Sequence, residues 1–153
     1  MSILDQLTKK LEQATNFADN QQTGHAIKAL EEIIKFEITA EDATEEVIKV
    51  KENATYKLAK ILKEKGLVDE LIELQKVILP LFIDFPKSKT AKITRSLFDL
   101  TMSADSSLQG QTAQYYAKLV DLSKHIITWC EKESRSFLRM RIETNLADLL
   151  FKQ

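Results

Sequence analysis

Glu45-Glu46-Val47-Ile48-Lys49-Val50-Lys51-Glu52-Asn53-Ala54-Thr55-Tyr56-Lys57-Leu58-Ala59-Lys60-Ile61-Leu62-Lys63-Glu64-Lys65-Gly66 is the stretch from which the architecture follows. Val47, Val50, Ala54, Leu58, Ile61 and Leu62 recur at steps of three, four, four, three and one. That spacing lines one apolar face of a helix with 3.6 residues per turn. Glu45 and Glu46 stand at its start, where the helix dipole favours acids, and Gly66 suits the left-handed position just past its end. The pattern then returns: Lys57-Leu58-Ala59-Lys60-Ile61-Leu62 matches Asn145-Leu146-Ala147-Asp148-Leu149-Leu150 at an offset of 88, twice 44. Ile27 and Ile72, each near the start of an apolar stripe that follows a glycine, lie 45 apart. A fixed period of this size marks stacked helix hairpins, in a unit longer than an ideal tetratricopeptide repeat.

Outward from this stretch, helical spacing covers nearly the whole chain. The expected helices run from about Ile3 to Asp19, His25 to Phe36, Glu45 to Glu64, Leu67 to Phe85, Lys89 to Met102, Thr112 to Glu133, and from near Arg135 to the end. The fourth is apolar all round, so it is expected to be buried on more than one side, and Pro80 is expected to kink or break it. The sixth carries Tyr115, Leu119, Leu122, Ile126 and Trp129 inward. Ser103 to Gly110 reads as a polar loop, and Ala104 to Gly110 is expected to be mobile. The fold class is therefore all-α, a right-handed α-solenoid of TPR-like helix hairpins with about seven helices, in one domain over residues 1–153. The sequence stops at Gln153 just after a hairpin's first helix, which leaves Leu146, Leu149 and Leu150 without a covering helix. A fragment of a longer solenoid is expected; self-association through this C-terminal helix is the alternative.

Composition agrees with this and narrows function. The chain has 153 residues, 44% hydrophobic and 29% charged, with only three Gly and two Pro, too few for many strands and tight turns. Twenty-two Lys+Arg against 23 Asp+Glu give a net charge of −1, so no nucleic-acid binding by bulk electrostatics is expected. The longest apolar stretch, Val77 to Ile83, falls far short of the ~20 residues that span a bilayer, and no membrane association is expected. The N-terminus shows no secretory signal.

No catalytic residue, cofactor site or metal site emerges. His25 and His125 fall a hundred residues apart and outside any ligand motif, which makes both structural or surface residues. Cys130 lies beside Trp129 on an inward stripe and reads as core; five residues from His125, it lies on the opposed face of the helix. Phosphate-binding, nucleophile-elbow and EF-hand motifs are absent. The acids Glu41, Asp42, Glu45 and Glu46 complement a helix start rather than a metal.

Two basic clusters are the candidate partner contacts. Lys87, Lys89, Lys92 and Arg95 crowd the start of the fifth helix with no acid before Asp99, where like charge opposes the dipole. An acidic partner or a solvated face accounts for this. Arg135 and Arg139 share a helix face with Arg141 nearby; they meet carboxylates of a partner, or pair with Glu131 and Glu143.

Three stretches carry a family resemblance: Thr90 to Leu100, Ile127 to Arg139 with its run Trp129-Cys130-Glu131-Lys132-Glu133-Ser134-Arg135-Ser136-Phe137-Leu138-Arg139, and Arg141 to Phe151. They resemble the N-terminal solenoid of the 26S proteasome non-ATPase regulatory subunit 11 family, clearly from about Asn53 to Phe151 and weakly before. The related second subunit of the COP9 signalosome has the same architecture. The resemblance implies a non-catalytic scaffold of the regulatory-particle lid, without cofactors, in cytoplasm and nucleus. Its implied partners are other lid subunits, an α subunit of the 20S core and an AAA ATPase subunit, and its implied role supports ubiquitin-dependent protein degradation. Family members continue into a C-terminal PCI domain, and this chain is expected to be the N-terminal helical-repeat part alone.

Overall fold

The computed structural model describes residues 2–83, 85–107 and 113–152, with side chains described outside 102–116, 149 and 152. Seven α-helices and no strand lie within the described residues: α1 (Ile3–Asp19), α2 (Thr23–Lys35), α3 (Glu45–Glu64), α4 (Val68–Leu81), α5 (Lys87–Ser107), α6 (Ala113–Lys132) and α7 (Ser136–Lys152).

Local chemistry sets most of the helix ends. Ser2 and Thr44 cap α1 and α3, their hydroxyls accepting from the backbone N–H of Asp5 at 3.1 Å and of Val47 at 3.3 Å. At its C-terminus α3 closes with Gly66 at φ +71°, and the Leu67 N–H donates to the Leu62 carbonyl at 2.8 Å. Open space surrounds Gly66, so the backbone conformation rather than crowding asks for glycine. The ends of α1 and α6 close the same way on Gln21 and Ser134.

The odd and even helices form two layers. α1, α3, α5 and α7 succeed one another on one side, with α3 packed on α1 and on α5, and α5 on α7. α2, α4 and α6 succeed one another on the other side. First helices begin 42, 42 and 49 residues apart and second helices 45 and 45 apart, close to the spacing read from the sequence. The main core lies between the layers around Leu7, Leu30, Ile33, Leu58, Leu71 and Leu97. A smaller one joins Leu79 and Phe98 to Leu122, Ile126, Cys130 and Ile142. Hydroxyls on the inward faces return to the helix: Thr55, Thr101 and Ser123 each donate to a carbonyl four residues back, at 2.8 Å.

Three expectations shift. α5 continues to Ser107, so residues 103–107 are helical rather than loop; the remainder of that expected loop lies outside the described residues. α4 does not reach Phe85: Pro80 occupies its last turn and the helix ends at Leu81, which is the break expected at this proline. Trp129 lies at the half-buried edge of the second core.

Candidate interaction surfaces

α3 is built to be covered on two sides. Beyond its apolar stripe it buries Lys51, Glu52 and Thr55. The Lys51 Nζ donates to the carbonyls of Ile33 at 2.9 Å, Ile34 at 3.1 Å and Phe36 at 2.5 Å, tying down the C-terminal end of α2 with a positive charge. Burial pushes this ammonium down to about 8. One residue on, Glu52 faces α5, with its Oε1 3.0 Å from Lys89 Nζ and its Oε2 3.9 Å from Lys92 Nζ. This carboxylate explains the crowd of lysines at the start of α5. The acid missing from the first turns of α5 comes from α3, and its single negative charge is shared between Lys89 and Lys92. Burial also raises the Tyr56 hydroxyl above its usual range, an effect that Ser96 of α5 partly offsets.

The six candidate residues therefore have different surroundings. Lys87, Lys92 and Arg95 are exposed, and Lys89 is half-buried against Glu52. Arg135 is the one whose side chain lies inside the fold, 8% exposed, with Nη1 donating to the Lys87 carbonyl at 3.2 Å and its guanidinium 5.1 Å over the Trp129 ring. It ties the start of α5 to the end of α6. Arg139 lies 3.4 Å from Glu131 and 3.1 Å from Glu143, and Arg141 2.8 Å from Asp99 of α5.

The sequence reading missed the α3 half of this basic surface. Lys49, Lys57 and Lys60 are exposed and Lys63 half-buried, while the acid between them, Glu52, is turned inward and neutralised. Glu45, Glu46, Glu52 and Glu64 nearly balance the five lysines of α3 as a whole, but no acid falls between Glu52 and Glu64, and Lys57, Lys60 and Lys63 all do. Between α3 and α5 runs an open groove of about 620 Å³, bordered by Lys60, Lys63 and Glu64 on one side and Ser96 and Leu100 on the other.

The second surface is on α7. Leu138 and Ile142 are buried against α5 and α6, as the inward stripe requires, but another stripe faces out. Phe137, Met140, Thr144, Ala147 and Phe151 follow one another at steps of three, four, three and four, and all are exposed: Phe137 91%, Met140 63%, Phe151 92%. At the offset of 88, Met140, Thr144, Ala147 and Phe151 occupy the register of Glu52, Tyr56, Ala59 and Lys63, the α3 face that meets α5. The α7 stripe is thus the side on which α3 receives its next neighbour. Leu150, in the register of the buried Leu62, is 53% exposed.

Cys130 is buried in the second core and burial pushes its thiol up to about 11, far from a reactive thiolate. His25 and His125 are exposed, the first against the Phe17 ring with centroids 5.4 Å apart. Among the described residues no group of three His, Cys, Asp or Glu is placed to hold a metal, and no helix is long and apolar enough to cross a membrane.

Comparison with known families matches residues 7–153 to the 26S proteasome regulatory subunit RPN6 N-terminal domain. Among curated proteins, the chain is similar to the 26S proteasome non-ATPase regulatory subunit 11 of Dictyostelium discoideum, 29% identical over 92% of this chain and 30% of the relative. It is 36% identical to the 26S proteasome non-ATPase regulatory subunit 11 homolog of Arabidopsis thaliana, over 70% of this chain and 24% of the relative. With the probable 26S proteasome regulatory subunit rpn6 of Schizosaccharomyces pombe it shares 28% over 92% of this chain and 31% of the relative. The chain spans less than a third of the length of these relatives.

Proposed function

This chain belongs to the family of the 26S proteasome regulatory subunit RPN6 N-terminal domain, and from that premise we propose that it works as a non-catalytic scaffold arm in the lid of the regulatory particle. In that role it bridges the lid to an α subunit of the 20S core and to a neighbouring AAA ATPase subunit, in cytoplasm and nucleus, and so supports ubiquitin-dependent degradation. The observation that carries the reading is the stacking of first helix on first helix through α1, α3, α5 and α7, which makes a rigid extended surface rather than a pocket for chemistry. On this surface Lys87, Lys89, Lys92, Arg95 and Arg139 are the candidate partner contacts, and Arg135 supports them by holding the start of α5. We further propose that the α7 stripe receives the first helix of a following repeat, on the way to the PCI domain of the family.

A second reading has its own support: the stripe Phe137, Met140, Thr144, Ala147, Phe151 has the spacing of a helix-pairing seam, so two copies could pair through it as a self-associating helical adaptor. Co-elution with purified 20S core particle and, separately, with the ATPase ring tests the first reading, with light scattering of the chain alone. Elution with either partner supports the arm. Elution with neither, together with a dimer mass, overturns it in favour of self-association.

A further inference from the structure

We propose that Thr39, in the link between α2 and α3, is a phosphorylation site for an acidophilic protein kinase. The inference goes beyond the scaffold-arm reading and stands on a different part of the molecule.

Four hydroxyls of the chain have an acid three residues after them: Ser2, Thr39, Ser96 and Thr128. Of these, Thr39 alone has a second acid one position nearer, in the run Thr39-Ala40-Glu41-Asp42. A kinase with a basic substrate cleft selects acids on the C-terminal side of the acceptor by charge complementarity. The fold separates the four further. Ser96 and Thr128 lie inside α5 and α6, where the neighbouring residues are wound away from an extended cleft, and the Thr128 hydroxyl donates to the Lys124 carbonyl at 2.9 Å. Ser2 is the cap of α1. Thr39 is exposed, and residues 36–39 run outside any helix, with Phe36 extended at φ −63° and ψ 119°. Among the described residues no acceptor takes the backbone N–H of Glu37, Ile38 or Thr39, which leaves them for the main-chain pairing that holds an extended peptide in a cleft.

In the transfer, the Thr39 Oγ1 attacks the γ-phosphorus of ATP. The new O–P bond forms as the bond from that phosphorus to its bridging oxygen breaks, ADP leaves with the electron pair, and the hydroxyl proton passes to a carboxylate of the kinase. The product changes what this side chain does in the link. The hydroxyl now donates to the Asp42 carboxylate at 3.0 Å and accepts from the Asp42 N–H at 3.3 Å. A phosphate of about −1.5 to −2 charge keeps the second bond and repels the carboxylate. Thr39 also borders, with Lys35 and Lys51, an open cavity of about 250 Å³. Phosphorylation thus exchanges a hydrogen bond to an acid for attraction toward two cations, at the joint of the hairpin that α2 and α3 share.

Incubation of the folded chain with casein kinase 2, ATP and magnesium, followed by site mapping with tandem mass spectrometry, is the test. Thr39 is expected to take up at least about ten times the phosphate of Ser2, Ser96 or Thr128, and Thr39→Ala to lose that uptake. Glu41→Gln, at an exposed side chain, is expected to slow uptake by about twofold or more, and Glu41→Gln with Asp42→Asn by about fivefold or more. Helical circular dichroism is expected to persist in all three variants, since none of these residues lies in a helix. Phosphate found chiefly on another residue would overturn the proposal, as would no phosphate at all or a rate indifferent to Glu41→Gln and to the double variant. Capture by the core particle or the ATPase ring is read separately, so such a failure removes the site and leaves the arm.

Discussion

α3 and α7 occupy equivalent slots in the repeat, 88 residues apart, and the same helical pattern has opposite fates in them. In α3, Leu58, Ala59 and Leu62 are buried, because α1 and α2 lie on one side and α4 and α5 on the other. In α7, Leu146 is half-buried, Ala147 is exposed and Leu150 more than half exposed, because α5 and α6 cover one side only. In a stack of this kind burial belongs to the interface and not to the residue. The difference also reaches composition. The second face of α3 is closed by a half-buried ion pair and a tyrosine, whereas that of α7 carries Met140, Thr144, Ala147 and Phe151, without a charge.

The strongest way to break this comparison is to truncate one matched pair. Leu58→Ala should cost about 2–5 kcal/mol, since its neighbours on both sides hold the cavity open. Leu146→Ala, half-buried at the edge, should cost about 1 kcal/mol or less. Urea denaturation followed by circular dichroism reads both, and equal losses would mean that α7 is packed as fully as α3.

The next pair sharpens it. Lys51 and Arg139 share a register, yet one is buried on three carbonyls and the other lies on the surface between two glutamates. Lys51→Met removes the side-chain donor from those carbonyls, of which that of Ile33 keeps the Phe36 N–H at 3.3 Å, and should cost about 1–3 kcal/mol. Arg139→Ala breaks exposed ion pairs and should cost less than about 1 kcal/mol. The two also differ in pH dependence. Burial holds the Lys51 ammonium at about 8, against 10.5 for an ordinary lysine. Between those values the unfolded chain binds the additional proton, so stability should rise as pH increases across this window, the cost of the buried charge being present in full below it. Urea midpoints at pH 8 and pH 10.5 should show that rise for the parent chain and for Arg139→Ala, and a smaller one for Lys51→Met.

Such contrasts also mark what could be read in advance. The seven helices, the hairpin period and the inward roles of Leu119, Leu122, Ile126 and Cys130 follow from local spacing, because an apolar stripe declares its own face. The end of α5 does not: residues 103–107 are helical without apolar periodicity. The burial of Lys51 and Glu52 was equally hidden. Their partners are carbonyls 15 to 18 residues before Lys51 and a lysine 37 residues after Glu52, and no local rule connects them. The candidate contacts were legible where cations crowd a helix start without acids, as from Lys87 to Arg95, while Lys57, Lys60 and Lys63, spread at steps of three through the middle of α3, read as an ordinary solvated face.

The smallest expected effect is the most diagnostic. Met140 holds the register of Glu52, but it is 63% exposed where Glu52 is sealed. In this chain Met140→Ser should shift stability by no more than about 0.5 kcal/mol, because the substitution leaves no cavity and strands no polar group. In a longer chain that carries a following repeat, the same substitution should cost more than about 1 kcal/mol, since the seam is then an interior and the serine hydroxyl meets apolar neighbours. If the isolated chain instead pairs with a second copy, the cost should depend on protein concentration, and Met140→Ser should lower the dimer mass seen by light scattering. Thermal melts of both lengths at two concentrations separate the cases: a loss confined to the longer chain assigns the α7 stripe to the next repeat, and a loss that grows with concentration assigns it to the copy.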